Sequence, residues 1–398
     1  MRKGIVLSTL FPNPQEPMRA PFIWQETQSL HKRYDLRVIA PVPYVPPFLK
    51  SRPRYAFHAV PQEETRAGLV VHHPRYLVTP GMLRSAYGHL MYWGILPLFK
   101  RLCREARPDF LVAHFAFPDG YAAALLARRE KIPLLIKARG SDLHLFTRSR
   151  LRRHMTLSAL RQADRAVVVS EAMSEHLASL GFPADRIVIM PNGVDRERFH
   201  PRDRDACRRA LGLEPEAYTF AFVGQLRPIK GLSTLIDAFA GLGETARARA
   251  RLLIVGDGEL REVLARTVRT RGLESCVRLV GPLPHEDVPQ WIGACDCLVL
   301  PSLTEGYPNV LVEALASGRP VIASRVGGIP EIVTDGRNGL LVPPGEAAPL
   351  RLAMERMLGG FSLPAKEAAK TPRSWDDVAG DMAALIEAML SEGRGGKR

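Results

Sequence analysis

The stretch Pro301–Val333, PSLTEGYPNVLVEALASGRPVIASRVGGIPEIV, constrains the fold of this chain more than any other. The apolar run CLVLP closes at Pro301, a polar turn follows, a helix opens near Pro308 and Asn309, and a second apolar run, PVIAS, leads to a Gly-Gly turn. Strand, turn, helix and strand in that order are the repeating unit of an open parallel sheet, and such sheets bind ligands at the carboxyl ends of their strands. The turn from Thr304 to Asn309 is therefore expected to face a ligand. Glu305 lies in the turn and Glu313 eight residues on, one helical turn beyond Asn309, so both carboxylates are placed to point at one crevice. The N–H groups of a helix start over Tyr307–Leu311 would favour an anion between them. In most chains a helix-start charge and a solvated Glu explain such a pair, so the rest of the sequence has to decide.

With 398 residues the chain is too long for one ordinary core and suits two domains of about 200 residues each. Apolar runs alternate with helix-like segments throughout. The first half carries a strand over Gly4–Leu10, then LRVIAP, FLVAHF, YAAALLARRE and PLLIKA; the second opens with TFAFVGQL, the loop RPIKG and the helix STLIDAFAGL. This pattern predicts an α/β fold of two Rossmann-like domains with parallel sheets. The first is expected over 1–198 and the second over 199–372, with a last helix at about 373–392 crossing back onto the first. Ser170 reads as the N-cap of a helix beginning at Glu171. The charged stretch after Asp195 reads as the interdomain connection. Its Asp203-Arg204-Asp205 has the form of a metal-binding D-x-D, but before a helix in a charged linker it reads as a cap and surface feature. No other cluster offers metal ligands, and metal-independent chemistry is expected.

Charge is distributed unevenly. Residues 1–200 hold 30 Lys and Arg against 16 Asp and Glu, and the remainder holds 25 against 25, so the whole net charge of +14 belongs to the first half. Such a field suits an anionic partner: a nucleic acid, an acidic membrane surface or a phosphate-bearing molecule. An aromatic-rich nucleic-acid motif is absent, and no nucleic-acid partner is expected. The Pro-rich basic loop PVPYVPPFLKSRPRY and the segment SAYGHLMYWGILPLFKRLCREAR instead set Tyr87, Tyr92, Trp93 and Phe99 beside Lys100, Arg101, Arg104 and Arg107. That combination suits a helix on an anionic membrane surface, and equally a core helix with a solvated basic end. The five cysteines are an odd set without C-x-x-C pairs, which favours reduced, buried thiols in a cytoplasmic protein over disulfides or zinc. The amino terminus reads as a first strand, not a signal peptide, and no stretch reaches about 18 apolar residues. A cytoplasmic protein, peripheral on the inner face of the membrane, is the expectation.

The string EGYPNVLVEALASGRPVIAS closely resembles the E-x7-E region of retaining, nucleotide-sugar-dependent glycosyltransferases of the GT-B fold, the family 4, group 1 type. The resemblance runs through nearly the whole chain and is strongest over 109–200 and 219–342. It implies two Rossmann-like domains facing across a cleft, the first for the acceptor and the second for the nucleotide sugar. By this resemblance Glu313 holds the ribose, Glu305 lies near the transferred sugar, and the segment Gly306, Tyr307, Pro308, Asn309 and Val310 holds the diphosphate with Lys230. The family loop G-R-L-x-x-x-K-G is matched at Gly224, Lys230 and Gly231; Gln225 stands at the usual Arg, and either Arg227, two residues on, reaches the phosphates or the site uses one cation fewer. Leu283 ends a strand expected to run beside the base. His114 matches a His facing the transferred sugar, and Arg139-Gly-Ser-Asp142 falls where relatives carry His-Gly-x-Asp. Asn192 lies in the turn PNGVD of the same domain. The first loop has Pro12, Pro14, Pro17 and Pro21 where many relatives have a Gly-Gly pair, and Arg19 is its candidate acceptor contact. Glu305, His114 and Lys230 are the catalytic candidates. The implied reaction needs no cofactor beyond a UDP- or GDP-linked sugar as substrate. It implies retention by front-face attack, with a polyprenyl-diphosphate-linked glycan or a smaller phosphorylated acceptor, in cell-surface polysaccharide assembly. A sugar-nucleotide epimerase of the same fold and a non-catalytic anion-binding protein are the alternatives.

Overall fold

A computed structural model of the chain describes residues 1–17, 19–45, 57–79, 83–144, 147, 149–360 and 372–395. Most of the Pro-rich basic loop and the last three residues lie outside that set. The chain forms two compact units, Met1–Asn192 with Trp375–Arg398, and Gly193–Ser374.

In the first unit, eight strands run in the order Ile187–Ile189, Arg165–Val168, Leu134–Lys137, Phe110–His114, Lys3–Leu7, Asp35–Ile39, Leu69–His72 and Glu63–Arg66, and only the last pair is antiparallel. Helices cover the sheet, and Phe110–His114 and Leu134–Lys137 are buried at every position, as continuous apolar runs in parallel sheets require. The strand order reverses between Lys3–Leu7 and Phe110–His114, so the carboxyl ends of these two strands flank a topological switch point. The helix Trp375–Gly395 belongs to this unit. Its Trp375, Val378, Ala379, Met382, Ile386, Met389 and Leu390 recur at three- and four-residue spacing and are buried with Leu30, Tyr34 and Leu36. Lys32 meets Asp376 at 2.9 Å and Arg165 meets Glu392 at 2.5 Å beside that seam.

The second unit has six parallel strands in the order Val277–Gly281, Ala250–Val255, Tyr218–Val223, Cys297–Leu300, Val321–Ser324 and Gly339–Val342. Numbered along this unit the order is 3-2-1-4-5-6, the dinucleotide-fold arrangement, with its switch point between Tyr218–Val223 and Cys297–Leu300. The chain divides at Asn192–Gly193, ahead of the boundary drawn at residue 198 from the sequence. Val194 donates its N–H to Arg373 O at 2.8 Å and bridges Ser374, and Val194 and Phe199 are buried in the second core, so the segment after Asn192 packs with the second unit.

Local sequence signals explain several helix starts. Ser170 Oγ accepts the Met173 N–H, and Asp203 Oδ1 accepts the Ala206 N–H at 2.6 Å, so the D-x-D-like triplet is a helix cap. Arg204 and Arg208 then both bond Asp296, at 2.8 and 2.5 Å. Cys295 and Cys297 are fully buried, and all five cysteines are free thiols. The helix Tyr87–Glu105 splits the aromatic run read from the sequence. Met91, Ile95, Phe99 and Leu102 face the core, whereas Trp93 is 64% exposed and Arg101 and Arg104 are exposed. Among the described residues, no helix is long and apolar enough to cross a membrane.

Candidate functional site

Two sets of chemical groups gather at the two switch points, one in each unit. In the second unit, the strand Tyr218–Val223 runs out into Gly224, Gln225, Leu226 and Arg227, and a short turn Pro228–Lys230 follows. The neighbouring strand Cys297–Leu300 runs out into the loop that carries Glu305. The loops bind each other through Leu303 N–H to Ile229 O at 2.8 Å. Two glycines make the approach possible. A Cβ on Gly231, at φ 66°, would lie 2.0 Å from Pro301 O, and one on Gly327, at φ 50°, would lie 1.8 Å from Glu305 O. The Gly-Gly turn read from the sequence is thus what lets the backbone after Val321–Ser324 lie against the Glu305 loop, where Gly328 N–H also bonds Gly306 O at 3.1 Å.

The result is that Lys230 Nζ meets Glu305 Oε1 at 2.6 Å, and Ser302 Oγ donates to the same oxygen at 2.6 Å. Lys230 and Glu305 are 75 residues apart in sequence and mostly buried. The helix Asn309–Ala316 begins immediately beyond, with Pro308 as N-cap and no side chain capping it, and Leu311 N–H turns back to Pro308 O at 3.2 Å. Tyr307 packs against the core of this unit, and burial pushes its hydroxyl up to about 12. Val310 also packs there. Gln225 and Arg227 are exposed. Leu283 lies in a small apolar cluster with Val255 and Trp291.

Glu313, in the second turn of that helix, has His285 Nε2 3.7 Å from its Oε1, and the His285 ring stands edge-on to Phe199 at 5.8 Å. The sequence reading missed His285. The signal available was the polar turn PHED after Val277–Gly281, at the carboxyl edge of the sheet. A cavity of about 550 Å³ opens at the opposite strand ends of this sheet, lined by Thr219, Arg251 and Arg278 among others, where Arg251 is already paired with Glu214 at 2.6 Å.

In the first unit, His114, Asp142, Arg139 and Asn192 do come together. His114 and Lys137 end adjacent strands as register partners, and Arg139 follows two residues later. Arg139 Nη1 donates to Asn192 Oδ1 at 2.7 Å, and its Nη2 lies 2.7 Å from Glu26 Oε2 and 2.8 Å from His114 Nδ1. Lys137 Nζ reaches the same Glu26 oxygen at 3.1 Å. Asp142 accepts the N–H groups of Ala116, Arg139 and Gly140 at 2.8, 3.0 and 2.9 Å, so its carboxylate ties the loop together. Burial opposes ionisation of Glu26, but the Arg139 and Lys137 cations outweigh it and hold the carboxyl well below its usual range. Burial, with Arg139 beside it, pushes His114 down to about 3. Glu26 and Lys137 were not among the sequence candidates. Arg19 does not join the group; it pairs with Glu16 and lies over Phe57 at 5.7 Å. Across the same switch point, the buried Asp119 accepts the N–H and hydroxyl of Thr9, and burial pushes its carboxyl up to about 7. Among the described residues, no three His, Cys, Asp or Glu side chains are grouped to hold a metal ion.

Two family descriptions match the chain: Glycosyl transferases group 1 over residues 217–359, and Glycosyltransferase Family 4 over residues 20–198. TuaC of Bacillus subtilis, named as a teichuronic acid biosynthesis glycosyltransferase, is 28% identical over 410 residues, spanning 99% of this chain and 96% of its own length. A D-inositol 3-phosphate glycosyltransferase of Actinosynnema mirum is 37% identical over 191 residues, 46% of each protein. Among solved structures, sucrose-phosphate synthase from Thermosynechococcus elongatus matches with a TM-score of 0.82 at 20% identity, covering 98% of this chain and all of that one. HepE of Anabaena, solved in complex with UDP-glucose, matches with a TM-score of 0.73 at 20% identity, over 98% of this chain and 100% of its own.

Proposed function

Because the chain is a group 1 glycosyltransferase of the GT-B fold with a family 4 amino-terminal half, we propose that it transfers a sugar, with retention and without a metal, from a UDP- or GDP-linked donor to an anionic, lipid-linked glycan in polysaccharide assembly. The observation that carries the reading is the Lys230–Glu305 contact at the switch point of the second sheet, beside the start of the helix Asn309–Ala316 and the exposed Arg227. Nucleotide phosphates suit that position, because N–H groups and fixed cations stabilise negative charge that grows as the leaving group departs. Complexes of HepE with UDP and with UDP-glucose agree with a nucleotide sugar as substrate.

In this mechanism the donor diphosphate draws Lys230 away from Glu305 and lies along Gly306–Val310 with Arg227. Glu313 accepts from the ribose hydroxyls, with His285 beside it. Glu305 then faces the sugar and stabilises the positive charge of an oxocarbenium-like transition state. The bond from the anomeric carbon to the phosphate oxygen breaks, the acceptor oxygen bonds the same face, and the acceptor proton passes to the departing diphosphate. His114 acts within the first unit as a hydrogen-bond donor to a sugar hydroxyl.

The charge of the first half supports the anionic acceptor and its membrane surface. On Tyr87–Glu105 the exposed Trp93 shares the solvent face with Arg101 and Arg104, while Met91, Ile95, Leu96, Phe99 and Leu102 are buried. The reading is tested by thermal-shift and calorimetric titration with UDP, GDP, ADP and dTDP sugars, with and without EDTA, on the native chain and on Glu313→Ala. Saturable binding of one nucleotide class, insensitive to EDTA and lost in the variant, is expected. A folded protein that binds none of them overturns the reading.

A further inference from the structure

The group around His114 does more than fill the end of a sheet. Among the described residues, the charged groups about the ring are Glu26 from the helix Pro21–His31, Lys137 and Arg139 from the end of the neighbouring strand, and Asp142, whose oxygens are taken by three backbone N–H groups. The guanidinium of Arg139 is held by Glu26 and Asn192 in its plane and by the Phe22 ring 5.2 Å from its carbon. A guanidinium has N–H donors and no acceptor. At 2.8 Å from His114 Nδ1 it therefore donates, and that nitrogen must carry the lone pair.

We infer that Arg139, fixed by Glu26 and Asn192, is a positioning residue that locks His114 as a neutral ring with its proton on Nε2, a permanent hydrogen-bond donor and neither an acid nor a base. The inference rests on the proposed function only for what Nε2 meets, a sugar hydroxyl. The cation has the opposite effect to a carboxylate orienting a catalytic histidine: it makes a second proton on the ring unfavourable, where a carboxylate would invite it. The direction of the His114 shift, set first by burial and then by Arg139, agrees with that geometry. A substitution at Arg139 thus changes the chemistry of a residue that remains in place.

The test uses the full chain labelled with ¹⁵N-histidine, with His114 assigned by comparison with His114→Gln. Long-range ¹H–¹⁵N spectra should show an unprotonated Nδ1 and a protonated Nε2 unchanged from pH 8 to pH 5. An Nδ1–H tautomer, or an imidazolium appearing near pH 6, overturns the inference, and this result needs no variant of Arg139 and no substrate. In Arg139→Met, the ring should take up its proton at a higher pH than in the native chain, while burial still holds it below its ordinary value, and kcat should fall about tenfold or more while nucleotide affinity is kept. Arg139→Lys, which returns a donor, should restore part of kcat. A folded Arg139→Met with an unchanged His114 spectrum refutes the positioning role. Failure to bind any nucleotide sugar would refute the proposed function and leave the tautomer result standing.

Discussion

Acid should weaken the first unit through His114, and by an amount that its burial determines. The ring goes from an ordinary value of 6.5 in the unfolded chain to about 3 in the fold, so the unfolded chain takes up its proton first. For a group lowered by folding, stability is complete above the unfolded value and declines as pH falls from there to the folded value. Each unit between the two is worth 1.36 kcal/mol, so lowering the pH from 7 to 5 should remove about 2 kcal/mol through this one ring. The buried His72 is also lowered, by burial, and adds a decline of the same sign. Comparison with His114→Gln cancels it. Two-unit chains do not unfold in one step, so the measurement is amide hydrogen exchange of the strand Phe110–His114, whose slowest protons report opening of the first unit. The native chain should lose about 2 kcal/mol more between pH 7 and pH 5 than the variant does. Equal losses would show that His114 takes its proton as readily folded as unfolded, and the argument from Arg139 and burial would be wrong.

Gly327→Ala should cost about 1–2 kcal/mol for its left-handed backbone alone and more for the contact with Glu305 O, and it should abolish nucleotide affinity by moving Glu305. Gly181→Ala, also left-handed at φ 85° but with nothing within 4 Å, supplies the control in thermal melts and nucleotide titrations; equal effects at the two sites would remove the special role of the Gly-Gly turn. Flotation with anionic phospholipid vesicles should retain the native protein, release it at high salt, and fail for Trp93→Ser with Arg101→Glu; retention of that double variant would dismiss the exposed face of Tyr87–Glu105 as a membrane contact.

What was legible in the sequence follows the range of the interactions. Parallel-sheet runs, the Gly-Gly turn and the caps at Ser170 and Asp203 depend on neighbours within a few residues, so residue type and spacing reveal them. Phe99 and Trp93 needed the helical phase as well: six residues apart in a helix, they point to different sides, and grouping them by composition hid that Phe99 is core. The boundary at residue 198 failed for a related reason, since Val194 finds its partner at Arg373 on the returning chain. Glu26 and Lys137 were beyond reach, because a charged residue in a helix reads as solvated and nothing local joins two positions 111 residues apart.

Arg139 shows how the long-range part alters the meaning of a residue that was noticed. Next to Gly140 and Asp142 the resemblance reads it as an arginine in place of an imidazole. With its partners in view, the guanidinium balances Glu26 beside Lys137 and donates a hydrogen bond to His114 Nδ1. A buried cation of this kind is retained only while its partners stay, since an uncompensated charge in that place would cost several kcal/mol. Arg139, Glu26 and Asn192 are therefore one device, and exchanging Arg139 alone for histidine would leave Glu26 without one of its two cations among the described residues and His114 without its donor.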